Sequence, residues 1–457
     1  MINFENSLNT AKQQLLAWSS YAKLTEITLV RDAKGQISIY LMPKSKPKID
    51  SNELRAITNT LAKALGSFFS GTLFIENAEE WTKDLFKKIR ELRIEDPNPP
   101  ATTTSPKWYL IERGIAKKAW IQCSQNENSA WPYESTQPGS KKTLPKIVTF
   151  YSYKGGMGRT TALTAVAFEL LRQHKNVLMI DTDLEAPGLS TFFFPADDEG
   201  LINKGTVDYL QLKNMDKNAV IDMTEYIIPL ISPSYIDSDM GKLYLVSGGQ
   251  LNDEFLLKLA RIDTQELNGE KLKALFIQLL KDCCSALESD GGIDYILIDS
   301  RAGFHDMAGI VTAQLPHGVV LFGKDSFQSW FGIQQAVRTI ATSQTDKPFA
   351  IIVDSGCGFN GLVSEEEKDN FRAKSYEIFC TNYYDNDIQP GLNAHGEAHD
   401  PIFIRYSATL AGDIPLYDGK KVVELKKQLS DWSYKELTYR IMEQFGENPM
   451  GGSELNE

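Results

Sequence analysis

Residues 146–161 read KIVTFYSYKGGMGRTT, and this stretch decides the fold. The apolar run at residues 147–151 predicts a buried β-strand, and the apolar stripe at residues 163–171 predicts a helix that begins near Thr160. Glycines between them let backbone N–H groups turn inward around an anion, and the helix N-terminus adds partial positive charge. This order predicts a phosphate-binding loop over residues 153–161. The alternative is a glycine-rich turn with incidental charges.

The loop differs from the GxxxxGKS/T pattern at two positions. Tyr153 stands where the first glycine is usual, and Arg159 stands where the lysine is usual. Arginine keeps the charge but is planar and forked, so its phosphate contact differs from that of lysine. Thr160 is placed to offer its hydroxyl to Mg²⁺, and Thr161 to bond a phosphate oxygen. The predicted nucleotide-binding residues of the loop are Lys154, Gly155, Gly156, Met157, Gly158, Arg159, Thr160 and Thr161.

The loop resembles the deviant Walker A motif, KGGxGKS/T, of the MinD/ParA family of P-loop ATPases in the SIMIBI class. More narrowly, it is similar to a bacterial branch whose loop reads KGGVGR. The resemblance covers roughly residues 146–420. It implies ATP hydrolysis with ATP and Mg²⁺ as cofactors, catalytic roles for Lys154 and Arg159, and a homodimer in which Lys154 reaches the partner's nucleotide.

Three carboxylates follow predicted strands. Asp181 and Asp183 close the apolar run at residues 176–180, and Asp299 ends the run at residues 295–298. Ligands of open parallel sheets bind at the carboxyl ends of strands, so we expect these side chains near the phosphate loop. An apolar strand that ends in Asp is typical of a Walker B site, where the carboxylate holds Mg²⁺. Asp181 and Asp183 have the alternative role of capping the following turn.

The family resemblance assigns roles to the carboxylates. It implies that Asp181 supports Mg²⁺ together with Thr160 and Asp299, and that Asp183 orients or activates the attacking water. Arg301 stands where the family often has proline. Two interpretations of Arg301 have equal weight. In the first, Arg301 contacts the γ-phosphate or a partner subunit. In the second, it forms an ion pair with a nearby Asp and fixes the loop.

Base recognition is predicted from a later strand, residues 349–353, which ends in Asp354. In the family, an Asn after the corresponding strand often contacts adenine. An ionised Asp only accepts hydrogen bonds, so it can receive them from the adenine amino group or from guanine N1 and N2. The resemblance favours adenine, and Pro415 is expected to flank the base.

The chain is expected to fold as an α/β P-loop NTPase with a mostly parallel sheet flanked by helices, preceded by a small α+β domain. We predict an N-terminal domain at residues 1–123, a Pro- and Ser-rich linker at 124–145 and the ATPase domain at 146–457. In the first domain, residues 26–30 and 36–42 predict a β-hairpin. Residues 108–111 and 118–123 predict a second one.

Composition narrows the class of protein. The 457 residues carry a net charge of −12, which weighs against nucleic acid as a partner without excluding a basic patch. The five cysteines form no CxxC pair, and the N-terminus lacks the pattern of a signal peptide. The C-terminal segment is not a basic amphipathic helix, so no membrane anchor is predicted. We therefore expect a cytoplasmic protein.

The leading hypothesis is a slowly hydrolysing, ATP-driven dimerisation switch that controls an unidentified protein partner. Its alternatives are a non-hydrolysing nucleotide-binding scaffold and a ParA-like DNA-partition ATPase. The N-terminal domain is expected to recognise the partner or support dimerisation. The KGGVGR-like branch is associated with bacterial conflict systems, so the resemblance suggests a role in antiviral defence.

Overall fold

The structure is a computed structural model that describes residues 2–44, 49–77, 79–100, 106–113, 117–121, 145–195, 202, 204–232, 240–262, 269–342, 347–358, 363–385 and 387–450. The chain divides into two compact units, Met1–Ala116 and Lys117–Glu457. The first unit thus ends before the predicted boundary at residue 123. Apart from residue 145, the predicted linker lies outside the described residues.

The first unit is a five-stranded sheet with helices, in the strand order β3-β2-β1-β5-β4. Its elements are α1 (Phe4–Leu16), β1 (Leu24–Arg31), β2 (Ile37–Pro43), α2 (Ser51–Leu65), β3 (Phe69–Ile75), α3 (Glu80–Leu92), β4 (Ile94–Glu95) and β5 (Lys107–Glu112). The predicted β1–β2 hairpin is confirmed, since the two strands pair antiparallel. Asp32 Oδ1 orders its turn by accepting hydrogen bonds from the backbone N–H groups of Lys34 and Gln36.

The predicted second hairpin is wrong. β5 pairs parallel with β1 and antiparallel with β4, and residues 118–121 form a short helix in the second unit. The position beside β1 buries Trp108 and Leu110 in the core of the first unit, which a separate hairpin would leave exposed. Local alternation predicts a strand but does not select its partner.

The second unit is built on an eight-stranded sheet in the order β13-β12-β11-β6-β10-β7-β9-β8. Its strands are β6 (Lys146–Ser152), β7 (Val177–Asp181), β8 (Ile228–Pro229), β9 (Leu243–Val246), β10 (Tyr295–Asp299), β11 (Gly318–Gly323), β12 (Phe349–Cys357) and β13 (Ile402–Arg405). Its helices are α4 (Lys118–Ile121), α5 (Arg159–Arg172), α6 (Thr206–Met215), α7 (Asp253–Ile262), α8 (Gly269–Ala286), α9 (Asp306–Ala313), α10 (Phe327–Thr342), α11 (Glu365–Asn382), α12 (Val422–Leu429) and α13 (Trp432–Gln444).

The predicted fold class is confirmed. All strand pairs of this sheet are parallel except β8 with β9 at one edge. Apolar strand residues are buried on both faces, because α5, α12 and α13 cover one face and α8 and α9 cover part of the other. No helix in the described part of the chain combines the length and hydrophobicity that crossing a bilayer requires.

The sheet order positions the site. β6 lies between β11 and β10, and β10 lies beside β7. The parallel register pairs Asp299, the last residue of β10, with Asp181, the last residue of β7. The loop after β6 therefore opens at the same edge of the sheet as both aspartates.

Candidate functional site

The glycine-rich loop connects β6 to α5 in the conformation that its glycines allow. Gly156 and Gly158 have φ values of +71° and +69°, the left-handed region that favours glycine. Ser355 Oγ donates a hydrogen bond to the Met157 carbonyl at 2.6 Å, and Ser152 Oγ donates one to the Lys154 carbonyl at 2.8 Å. Hydroxyls from the ends of two strands thus hold the loop in place.

Tyr153 turns its ring away from the loop. The ring lies against Phe304 and Phe331, with centroid distances of 4.8 and 6.1 Å. Gly332 makes room for it, since a Cβ there would lie 2.1 Å from the side chain of Tyr153. The departure from glycine at this position therefore adds packing outside the loop.

Lys154 lies on the surface at the start of the loop. Among the described residues, no ion pair involves its ammonium group. An exposed lysine on an ordered loop has the accessibility that contact with a second molecule requires.

Arg159 extends from the first turn of α5 toward two carboxylates. Its Nε lies 3.1 Å from Asp299 Oδ1, and its Nη2 lies 3.0 Å from Asp183 Oδ2. Nη1 makes a longer contact of 3.4 Å with Ser152 Oγ. Burial opposes the charged form, but Asp299 and Asp183 outweigh it and raise the pKa of Arg159. The structure thus brings together three predicted site residues through one guanidinium.

Thr160 completes the contacts of Asp299. Its hydroxyl donates to Asp299 Oδ2 at 2.5 Å, while Arg159 occupies Oδ1. Thr161, the next residue on α5, is buried at the rim of the same site. The predicted metal ligands Thr160 and Asp299 are therefore direct neighbours.

Asp181 is fully buried, and its oxygens accept hydrogen bonds from backbone N–H groups. Oδ1 bonds the N–H of Asp183 at 3.0 Å, and Oδ2 bonds the N–H of Leu189 at 3.1 Å. Burial, followed by the nearby Asp299, raises the pKa of Asp181 well above its ordinary value. These bonds order the segment that carries Asp183. Asp181 therefore has the role of capping the turn after the strand, which was the alternative prediction. Direct support of Mg²⁺ by Asp181 stays a prediction.

Arg301 forms an ion pair with Glu185 at 2.6 Å. The pair joins the loop after β10 to the loop after β7, so the structure agrees with the alternative in which Arg301 fixes a loop. Its partner is a Glu where an Asp was expected.

A cavity of about 390 Å³ opens beside the loop and extends to the segment after β13. Its lining residues are Ser152, Gly156, Met157, Gly158, Arg159, Thr160, Thr161, Phe192, Lys324, Ser355, Gly356, Ile404, Arg405, Tyr406, Ser407, Leu410, Ala411, Gly412 and Tyr434. This volume is in the range of small-molecule sites. No acidic side chain is among them, so the cavity favours an anionic ligand.

Sequence reasoning missed two basic residues of the cavity, Lys324 and Arg405. Lys324 directly follows β11, and Arg405 is the last residue of β13. The available signal was their place at carboxyl ends of parallel strands.

The predicted base contacts lie elsewhere, since neither Asp354 nor Pro415 lines this cavity. Successive side chains of a strand point to opposite faces, so Ser355 faces the cavity while Asp354 points to the other face of the sheet. Contact of these two residues with a base stays a prediction.

The donor set suits Mg²⁺ held jointly with a ligand's phosphates. Mg²⁺ in such sites takes one or two protein oxygens and completes its shell with phosphates and water. Thr160 and Asp299 supply oxygens of this kind. Within the described ranges, no group of three or more His, Cys, Asp or Glu side chains is arranged to hold a metal by itself.

The KGGMGR loop connects a central strand to a helix. Aspartates from the ends of two neighbouring strands lie beside this loop. The second unit has a P-loop fold, and its loop resembles that of the MinD/ParA type. The order of these elements agrees with the family resemblance of the loop. No protein-family model matches the chain.

Comparisons with known proteins agree with this P-loop fold. The cytosolic Fe-S cluster assembly factor CFD1 of Candida albicans is 27% identical over 169 residues, which is 37% of this chain and 50% of that protein. The chain spans about half the length of the curated relatives it matches.

Two solved structures are similar at 14–16% identity. The pNOB8 ParA structure with nonspecific DNA covers 66% of this chain and 99% of its own, with a TM-score of 0.44. The Pyrococcus horikoshii MinD structure with Mg-ADP covers 63% and 95%, with a TM-score of 0.38. These are distant likenesses of fold.

Proposed function

We propose that the chain is an Mg²⁺-dependent ATP-binding and slowly hydrolysing switch, which dimerises through its nucleotide and controls a protein partner. The observation that carries the proposal is the meeting of the loop at residues 153–161 with Asp183 and Asp299 through Arg159 and Thr160. Phosphate-binding amides, a metal ligand and a carboxylate for water are the parts that phosphoryl transfer to water needs.

Each part has a role that its position supports. The loop amides and the N-terminus of α5 bind phosphate oxygens. Thr160 and Asp299 would hold Mg²⁺, which would neutralise charge on the phosphates when bound. Asp183 accepts a hydrogen bond from water and orients that water toward the terminal phosphorus.

Slow turnover follows from the contact between Arg159 and Asp183. The carboxylate that would orient water is engaged by a buried guanidinium at 3.0 Å. The carboxylate becomes available when Arg159 turns to the phosphates. A partner that favours this rearrangement would accelerate hydrolysis.

Pairing through the nucleotide is proposed from the exposed Lys154 and the family resemblance. We expect Asp183→Ala to accumulate ATP-bound dimers and Lys154→Ala to remain monomeric. Sedimentation velocity with and without ATP·Mg²⁺ measures this, and Lys420→Ala, at another exposed lysine, is the matched control. A Lys154→Ala protein that dimerises like the control refutes the cross-subunit contact. Absence of calorimetric heat with either ATP or GTP refutes the nucleotide site itself.

The second candidate is a nucleotide-binding scaffold without useful hydrolysis. The Arg159–Asp183 ion pair favours it, because a permanent pair would leave no carboxylate for water. Phosphate release by the unaltered protein, measured beside Asp183→Ala, separates the two. Equal rates favour the scaffold, and a rate lost in the variant favours the switch.

We further propose that the first unit recognises the partner or supports dimerisation. Pull-down with Asp183→Ala and ATP, with and without residues 1–116, tests this. A partner retained equally by both forms contradicts the assignment. The role in antiviral defence remains a prediction from the resemblance, and DNA binding is the less favoured outcome for a chain of charge −12.

A further inference from the structure

We infer that Arg159 is an internal counter-ion of Asp299 and Asp183 that competes with Mg²⁺ for Asp299, so that metal entry requires the guanidinium to leave the carboxylates. This inference rests on the proposed function, since it concerns the same site. It adds a coupling between one side chain and the metal that the proposed function does not require.

The first support is geometric. Arg159 spans two carboxylates from different strand ends, with its Nε on Asp299 and its Nη2 on Asp183. The three side chains are only 10%, 14% and 2% exposed for Arg159, Asp183 and Asp299. Both oxygens of Asp299 are engaged, because Thr160 bonds the second one. A cation that takes Oδ1 of Asp299 must therefore displace the guanidinium.

The second support is the local charge. Asp183 and Asp299 place two carboxyl groups on one guanidinium, and Asp181 is a further carboxyl near both of them. Removal of the guanidinium leaves buried carboxylates without a counter-charge, which is strongly unfavourable unless another cation arrives. Mg²⁺ is a cation of suitable ligand preference, and it is attracted to the same oxygens.

The third support is the choice of arginine. A forked guanidinium bonds two carboxylates at once, whereas the lysine usual at this position is a single point charge. The long side chain also lets Arg159 turn from the carboxylates to the phosphates in the same cavity, of which it is a lining residue. Arginine here is thus suited to alternate between two sets of anions.

The expected size of the competition follows from Coulomb's law. Even with the screening of bulk water, a guanidinium about 5 Å from a divalent cation lowers its affinity by about tenfold. Replacement of Arg159 by a neutral residue should therefore tighten Mg²⁺ binding by about tenfold or more.

The test uses Mg²⁺ alone on the full chain. Arg159→Gln should melt at a lower temperature than the unaltered protein in EDTA, and Mg²⁺ should restore much of the loss. Calorimetric titration should show tighter Mg²⁺ binding to the variant. Arg338→Gln, at an exposed arginine of α10 outside the cavity, should respond to Mg²⁺ like the unaltered protein.

Two further measurements make each outcome decisive. If Arg159→Gln does not fold even with Mg²⁺, the neutral variant Arg159→Met is used, and it should bind Mg²⁺ more tightly than the unaltered protein. Equal Mg²⁺ affinity in the unaltered protein and the folded variant overturns the inference. Calorimetry of the unaltered protein with ATP and Mg²⁺ is run in parallel. ATP binding with unchanged Mg²⁺ affinity in the variant refutes only this inference, whereas no ATP binding refutes the proposed function.

Discussion

Asp354 should make the second unit less stable as the pH rises toward neutrality. Its side chain is 3% exposed at the end of β12. Burial, followed by the nearby carboxylates of Glu367 and Asp325, raises its pKa from 3.8 to about 7. The folded protein therefore keeps a proton on Asp354 at a pH where the unfolded chain has released it.

The direction and size of the effect follow from this difference. Between pH 4 and pH 7 the native state binds more protons than the unfolded state, so the free energy of unfolding falls as pH rises. One pKa unit corresponds to about 1.4 kcal/mol, so protonation of Asp354 contributes about 4 kcal/mol to the free energy of unfolding at low pH. The part lost between pH 5 and pH 8 is about 3 kcal/mol.

The perturbation is Asp354→Asn, which keeps the shape and removes the titration. We expect the variant to gain stability relative to the unaltered protein by about 3 kcal/mol between pH 5 and pH 8. Urea unfolding at several pH values, followed by tryptophan fluorescence, measures the difference. Asp413→Asn, at a carboxyl that is exposed to solvent, is the matched control.

A pH-independent difference for Asp354→Asn would refute the reasoning, as would a variant that loses relative stability at pH 8. Glu367→Gln provides a further check. Removal of that neighbouring charge should move the fall in stability to a lower pH without removing it.

Three other predictions concern the loop and its neighbours. Gly332→Ala should destabilise the protein, because its Cβ would lie 2.1 Å from Tyr153, and thermal melting should show partial rescue in the double variant with Tyr153→Ala. Ser355→Ala removes the 2.6 Å bond that anchors the loop, so calorimetry should show ATP affinity reduced by about fivefold, at about 1 kcal/mol per hydrogen bond. Thr160→Val should reduce the gain in ATP affinity that Mg²⁺ provides, and an unchanged Mg²⁺ dependence would exclude its hydroxyl as a ligand.

The sequence by itself determined the class of fold and the neighbourhood of the site. Apolar runs such as residues 147–151 predict strands buried on both faces, and such strands form a parallel sheet. The glycines of the loop and the aspartates at strand ends then predict one ligand site, because carboxyl ends of parallel strands share an edge. These signals are local in the chain, so spacing alone reveals them.

Tertiary structure alone decided which side chains meet. The contact of Arg159 with Asp183 and Asp299 joins positions 24 and 140 residues apart in the chain. Strand order also places Arg405 at the cavity. The alternation of side chains along β12 points Asp354 away from the cavity. Partners of this kind depend on strand order and on which face a side chain occupies. Composition and local periodicity do not encode either, because many strand orders satisfy the same apolar pattern.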